Sequence, residues 1–481
     1  MNTKGINMFK NSKKNFLFLT LLATLVSCAT NPDAKKNDST ATTVEFWLTN
    51  PDKSALFQSQ NISQTTVVGG EVSVLEVDEN KTFQSIDGFG CALTGGSAIL
   101  INQMGSAEKE ALLKELFATD GKNIGISYLR ISIGASDLSD HVFTYDDLPY
   151  GQIDTAMTQF SLEPEQKDLI PVLKQILAVN PNIKILGSPW TAPVWMKTKN
   201  SSIGGSLKPQ YYAAYAKYFV KYIQGMKATG IPIDAITIQN EPLHGGNNPS
   251  MIMTATEQAT FIKNYLGPEF KANNIETKII IYDHNADNTD YPITVMNDPD
   301  AKKYVAGSAF HLYGGTIDDL AKVKAAHPDK ELYFTEMWVG APGNLQNDLN
   351  WHVKNLIIGG MRNWCRNEIE WNLASDPNQN PHTDGGCTEC LGAITIDGNS
   401  VTKNPAYYII AHASKFVRPG SVRIGSTSST TLPNVAFKTP DGKKVMIVLN
   451  DSGSLQIFKL SAGNNPLTLT LKAGAVGTFI W

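Results

Sequence analysis

The chain has 481 residues, with 41 Lys and Arg against 45 Asp and Glu, for a formal net charge of −4. Hydrophobic residues at 42% supply a large core, and charged residues at 18% exclude disorder, collagen and coiled coil. A chain with no basic excess offers no footprint for a polyanion, so nucleic acid is excluded as the expected partner.

In chain order, the first 27 residues read as an export signal. Lys4, Lys10, Lys13 and Lys14 precede an apolar run over 16–26, which at about 11 residues is too short to span a bilayer of roughly 30 Å as a helix. Leu25-Val26-Ser27-Cys28 resembles a bacterial lipoprotein signal, in which the cysteine is lipidated and becomes the first mature residue. The alternative is a plain secretory signal with an incidental Cys28. Residues 28–43, rich in Lys, Asp, Ser and Thr, read as a flexible tether. The expected protein is therefore an exported lipoprotein of the outer membrane, cell surface or periplasm, a monomer that touches the membrane only through the anchor at Cys28.

Residues 43–49 and 72–77 alternate apolar and polar positions, as half-buried strands do. Eight β-rich runs follow, at 83–92, 127–133, 183–188, 235–239, 278–282, 305–312, 331–335 and 368–372. Helical patterns lie between or after them, among them 106–118 with Ser106 as N-cap, 164–179, 209–228, 256–273 and 405–416. Strand–helix alternation implies parallel pairing, and eight such units predict an α/β chain closed as a (β/α)8 TIM barrel. A doubly wound open sheet is the alternative, but Asp87-Gly88-Phe89-Gly90-Cys91-Ala92 lacks the GxGxxG cradle. After Pro419, five short runs (435–438, 445–450, 456–460, 467–471, 476–481) read as a strand meander. Paired with the orphaned early strands, it predicts a flanking β-sandwich built from both chain ends. The expected organisation is a signal at 1–27, a tether at 28–43, early sandwich strands at 44–80, the barrel at 81–418 and late sandwich strands at 419–481.

Cys387-Thr388-Glu389-Cys390 has CxxC spacing, open to a zinc half-site, a redox pair, a loop staple or inert thiols. Cys91 and Cys365 stand alone, so a zinc site lacks its second pair. No HExxH or comparable ligand cluster exists, and neither metal nor cofactor is expected.

In such barrels the chemistry sits at the C-terminal ends of the strands. Glu241 closes the fourth run in Asn240-Glu241-Pro242, and Glu336 closes the seventh in Phe334-Thr335-Glu336-Met337-Trp338. Strands four and seven lie across the mouth, and paired carboxylates flanking one bond are what glycoside hydrolysis requires. Asn240-Glu241-Pro242 and Thr335-Glu336 resemble the acid/base and nucleophile motifs of retaining (β/α)8 glycosidases. The ordered runs Gly88-Phe89-Gly90, Tyr128-Leu129-Arg130, Ser136-Asp137, Ser188-Pro189-Trp190-Thr191-Ala192-Pro193, Gly205-Ser206-Leu207-Lys208, His311-Leu312-Tyr313-Gly314, Trp371-Asn372-Leu373-Ala374 and Ser414-Lys415-Phe416-Val417-Arg418-Pro419-Gly420 narrow the resemblance to glycoside hydrolase family 30.

That resemblance implies Glu241 as acid/base and Glu336 as nucleophile, with Asn240 on the sugar 2-hydroxyl. It implies Asp137 and Trp190 on the far hydroxyls, and Trp371 with Asn372 as the opposite wall. Arg130 would keep the nucleophile ionised, His311 and Tyr313 would line the floor near Glu336, and His284 closes the fifth run. Relatives of the glucosylceramidase kind commonly carry an acidic residue after the Thr of the loop where this chain has Thr94-Gly95-Gly96, which implies one carboxylate fewer near the mouth and a more open backbone. The expected activity is a β-1,6-glucan-active β-glycosidase, acting on side branches or within chains. A glucosylceramidase-type enzyme and a non-catalytic surface glycan-binding lipoprotein are the alternatives.

Overall fold

In a computed structural model, the structure describes residues 44–62, 72–462 and 466–481. The signal, Cys28 and the tether, as sequence expectations, lie outside the described residues. No helix of the described residues is long and apolar enough to cross a membrane.

Eight parallel strands form the central sheet: Gly88–Ala92, Tyr128–Ser132, Lys184–Ser188, Ala235–Thr237, Lys278–Asn285, Val305–His311, Glu331–Glu336 and Asn367–Glu370. Strands one to seven pair in sequence order, and the eighth pairs with the first. Strands seven and eight meet where the Phe334 N–H donates to Asn367 Oδ1 (3.0 Å) and the Arg366 N–H to the Leu332 carbonyl (2.9 Å). Inside, Tyr128, Leu186, Ala235, Ile280, Ala309, Tyr333 and Ile369 form one buried cluster, one side chain from most strands, so the barrel is filled rather than hollow. The inward turn of Ile369 sends Glu368 and Glu370 outward into the helix layer, both fully buried. Glu370 shares a 2.7 Å hydrogen bond with His352, and burial pushes both carboxyls far above the usual range.

The amphipathic runs form the outer layer, including Ser106–Phe117, Leu169–Val179, Tyr212–Ala228 and Pro405–Ser414. Two local expectations change. Ser106 is the first helical residue, not the cap: Gly105 precedes it and no side chain caps the end. In the helix that follows strand four, Thr254 caps by exchanging bonds with Glu257, two residues before the expected start.

The first barrel run also divides. Residues 83–85 end a strand of another sheet, Val77–Ser85, and only Gly88–Ala92 belongs to the barrel. Gly88, at φ 146° and with Ser127 packed where a side chain would stand, is the hinge between the two. Val77–Ser85 joins a seven-stranded sheet with Glu45–Thr49, Gln58–Gln60, Val422–Ser426, Asn434–Lys438, Lys444–Leu449 and Val476–Ile480. A three-stranded sheet of Ser73–Leu75, Gln456–Leu460 and Leu467–Leu471 packs on it through Phe46, Leu75, Phe458, Leu469 and Phe479. Both sheets contain strands from both ends of the chain, as the patterning predicts.

Candidate active site

At the C-terminal ends of the strands lies a cleft of about 380 Å³ lined by Asp137, Trp190, Asn240, Glu241, His284, Tyr313, Glu336 and Trp371 among others. Larger hollows of about 510 and 970 Å³ lie beside the sandwich, but neither has facing carboxylates at strand ends.

The two glutamates meet across this mouth. Glu336 ends strand seven, and Glu241 lies just past strand four at φ 45°, a left-handed conformation that costs a non-glycine residue stability and recurs where a side chain must be aimed. One carboxylate oxygen of each lies within 4.8 Å of the other. Carboxyl groups this close leave room for a glycosidic bond but not for an interposed water, the spacing of retention rather than inversion.

Beneath them sits a charged network with no solvent exposure. Arg130 Nη1 donates to Glu336 Oε2 (2.5 Å), and its Nη2 donates to Asp283 Oδ2 (2.9 Å) and Asn240 Oδ1 (2.7 Å). Asp283 also accepts from Ser188 Oγ (2.8 Å), Thr237 Oγ1 (2.7 Å) and Thr335 Oγ1 (2.6 Å). Although burial opposes its charge, Arg130, His311 and these hydroxyls hold Asp283 well below the usual carboxylate range. Desolvating so many charges is costly, and the cost is offset chiefly at Asp283, whose two oxygens share five donors.

His311 couples this network to the acid side. Its Nε2 lies 3.1 Å from Asp283 Oδ1 and its Nδ1 3.2 Å from Glu241 Oε1. Burial alone would push the ring down, but Glu336, Asp283 and Glu241 around it raise it to about 9. With Nε2–H committed to Asp283, Nδ1 either donates to the Glu241 carboxylate or accepts the Glu241 proton, so the couple carries one proton across the neutral range. Glu241 is raised by burial and pulled lower overall by His311, which is the same shared proton seen from the other partner. Glu336 is raised by burial, against the pull of His311 and Arg130. Its contacts nevertheless favour the anion, because Arg130 and the Tyr313 hydroxyl (3.0 Å) both donate to it.

Asn240 spends its Oδ1 on Arg130, which leaves Nδ2 as the end free to donate to a ligand. His284 lines the cleft with Nε2 3.9 Å from Glu241. Asp137 is almost fully buried, and burial together with Glu336 pushes its carboxyl up to about 7.

Four sequence expectations change here. His311 is fully buried and acts on the carboxylates from below instead of lining the cleft floor; Arg130, equally buried, pairs with the nucleophile as expected but does not itself line the cleft. Trp371 does not oppose Trp190: the rings stack at 5.5 Å and 28°, side by side above the Arg130 guanidinium, which lies 4.8 and 5.7 Å from their centres. Asn372, at φ 69°, turns away from the mouth, and its Oδ1 accepts from Thr94 Oγ1 and Ser97 Oγ, fastening strand eight to the first loop. That loop is also not open, since a side chain at Gly96 would meet the Leu138 carbonyl at 2.8 Å and one at Gly95 would meet Ser139 Oγ at 3.0 Å. Asp283 and Trp338 are site residues that sequence reasoning passed over, although they stand just past the fifth and seventh runs, Asp283 beside His284 and Trp338 two residues after Glu336.

Glu241, His311 and Glu336 could each offer a donor to one cation. They suit the role poorly, because Arg130 already holds Glu336 and both His311 nitrogens are engaged.

Comparison with known proteins follows the same outline. A model described as the glycosyl hydrolase family 30 TIM-barrel domain matches residues 86–417, and one for that family's beta sandwich domain matches 420–479. The chain is 35% identical over 418 residues to the endo-1,6-beta-D-glucanase neg1 of Aspergillus fumigatus, covering 81% of this chain and 82% of that protein. It is 30% identical to the lysosomal acid glucosylceramidase of Mus musculus, covering 85% and 83%. Among solved structures, the endo-beta1,6-glucanase BT3312 superposes with a TM-score of 0.85 at 35% identity, over 91% of this chain and 99% of that one.

Proposed function

The chain belongs to glycosyl hydrolase family 30, and from that membership we propose that it is a retaining endo-β-1,6-glucanase with Glu336 as nucleophile and Glu241 as acid/base. The observation that carries the mechanism is the pair of carboxylate oxygens within 4.8 Å. In the first step Glu336 bonds to the anomeric carbon while the glycosidic C–O bond breaks. The leaving oxygen takes the proton of Glu241, which the Glu241–His311 couple supplies. In the second step Glu241 takes a proton from water, whose oxygen displaces Glu336, so the configuration is retained. Asn240 Nδ2 donates to the 2-hydroxyl as positive charge builds on the ring, and Asp137 with the Trp190–Trp371 face receives the far side of the sugar.

The linkage rests on the relatives. Identity is 35% to a β-1,6-glucanase and 30% to a glucosylceramidase over similar coverage, and the closed glycine loop at Thr94 lacks the acidic residue of the latter kind. Products from linear β-1,6-glucan, branched β-1,3/1,6-glucan and glucosylceramide test this. Mixed-length oligosaccharides, β-configured on release, are expected from the linear β-1,6-glucan; glucose alone would mean action from chain ends. Cleavage of glucosylceramide with neither glucan touched would replace the proposal by the second reading.

For the N-terminal segment we propose a lipoprotein signal with lipidation at Cys28, supported by Leu25-Val26-Ser27-Cys28 alone. An alkyne-tagged fatty acid supplied to expressing bacteria is expected to label the full chain and not Cys28→Ser. An unlabelled wild-type chain would overturn the anchor.

A further inference from the structure

Cys387 and Cys390 form a disulfide with a Cα–Cα distance of 5.7 Å. Both line the cleft, packed with Trp190, Trp371 and Trp338. The two cysteines are tied to different parts of the site. Cys390 lies in a short antiparallel ladder opposite Gly340, on the segment that leaves the Glu336 strand, and the Ala341 N–H donates to the Glu389 carbonyl (2.8 Å). Cys387 lines the same cleft as Asp137, and its backbone amide favours the charged form of that carboxyl against the effect of burial. Beside it, the Thr383 N–H and hydroxyl both donate to the Asp137 carbonyl, at 2.8 and 3.2 Å. Gly386 packs so closely that a Cβ there would stand 2.4 Å from that carbonyl oxygen. Asp384, Gly385, Thr388 and Glu389 are exposed, so apart from these bonds and the disulfide the loop is held chiefly by Asn248, whose Nδ2 donates to the Asp384 carbonyl (3.0 Å) and whose carbonyl accepts from the Thr383 hydroxyl (2.5 Å).

Resting on the glycosidase proposal above, we propose that Cys387 and Cys390 are a positioning pair for Asp137, which makes the grip on the sugar's far hydroxyls depend on the redox state of the disulfide. Oxidised, the pair braces the Cys387 amide from the Glu336 side of the cleft and keeps the Asp137 carboxyl aimed into it. Reduction by a dithiol passes two electrons and two protons to the bridge, giving two cysteine thiols and the reagent's cyclic disulfide. The loop then keeps its hydrogen bonds but not its brace. Glu241 and Glu336 are held by barrel strands and by Arg130 and His311, none of which this loop carries, so the effect falls on binding.

The test is steady-state kinetics on a β-1,6-linked gluco-oligosaccharide, with the native protein before and after dithiothreitol and with the Cys387→Ser/Cys390→Ser variant. Alkylation and mass spectrometry follow the bridge. KM is expected to rise about tenfold in both cases, the worth of one charge-assisted hydrogen bond, with kcat changed by less than about threefold and reoxidation restoring the native protein. In Asp137→Asn the same reduction is expected to add almost nothing, because the bridge acts through that carboxyl. Unchanged KM with the bridge shown to be reduced overturns the proposal. So do losses that simply multiply in the combined variant, because the bridge would then act elsewhere. An oxidised native protein that cleaves no glycan would instead sink the catalytic assignment beneath it.

Discussion

Glu336→Ala is expected to lower kcat/KM on a β-1,6-linked oligosaccharide by on the order of 10⁵-fold or more, the scale seen when a covalent nucleophile is removed. Its neighbours have other roles: Asp283 is buried and saturated by five donors, Glu241 stands on the leaving-group side, and Asp137 is given to the far hydroxyls of the sugar. Two accompanying results separate chemistry from collapse. Glycan affinity measured by calorimetry should survive within about tenfold, because Asp137, Trp190 and Asn240 are untouched. Azide, small enough for the vacated space, should restore turnover and yield the α-glycosyl azide, since it attacks from the face Glu336 used. A variant that keeps more than about a tenth of wild-type activity would leave the assignment without support, and one that binds and never turns over with azide would count against the same geometry.

Arg130→Met is expected to cost about 3–5 kcal/mol of stability at neutral pH, the range for removing one partner of a buried charge network. The side chain is fully buried between Asp283 and Glu336, so methionine fills the volume and leaves two anions facing each other. The sign with pH follows. Asp283 is held well below the usual range in the folded state, so its stabilisation is present above the unfolded carboxyl pKa of about 3.9 and is lost as pH falls through the folded value. The deficit of the variant should therefore be largest near neutrality and shrink in acid. Activity gives an independent readout. Glu336 must be ionised to attack, Arg130 lowers its pKa, and removing that charge moves the acidic limb of kcat/KM to higher pH. Arg130→Lys keeps the charge but not the fork that reaches Glu336, Asp283 and Asn240 together, so its shift should be smaller. Urea melts from pH 2 to 8, with pH–rate profiles, check both; an unmoved acidic limb in the methionine variant would refute the electrostatic role.

The barrel strands and the two glutamates were legible because they depend on signals that survive in one dimension, alternation of element type and a polar residue closing an apolar run. What escaped depends on local backbone turns. In Tyr282-Asp283-His284 both Tyr282 and Asp283 have positive φ, and pairing to strand six skips a residue there. Strand parity is thereby broken, and Asp283 reaches the buried network while His284 still reaches the mouth. Parity at the visible strand end pointed only to His284. The same device separates Trp371 from Asn372. Residues 83–92 appeared as one run because both sheets prefer the same apolar residues, and only Gly88 marks the change of direction.

The seven-stranded sheet places Val476–Ile480 between Glu45–Thr49 and Lys444–Leu449, each pairing through five residues. The strand latest in this sequence is thus an interior strand, not an edge. Until it arrives, Glu45–Thr49 lacks its main partner, and contacts spanning more than 400 residues of sequence cannot close. Such non-local pairing is slow to form, and it closes only once residues 476–480 are present. Loss of residues 476–481 alone would therefore remove an interior strand of the sheet and part Glu45–Thr49 from Lys444–Leu449, rather than trim the rim.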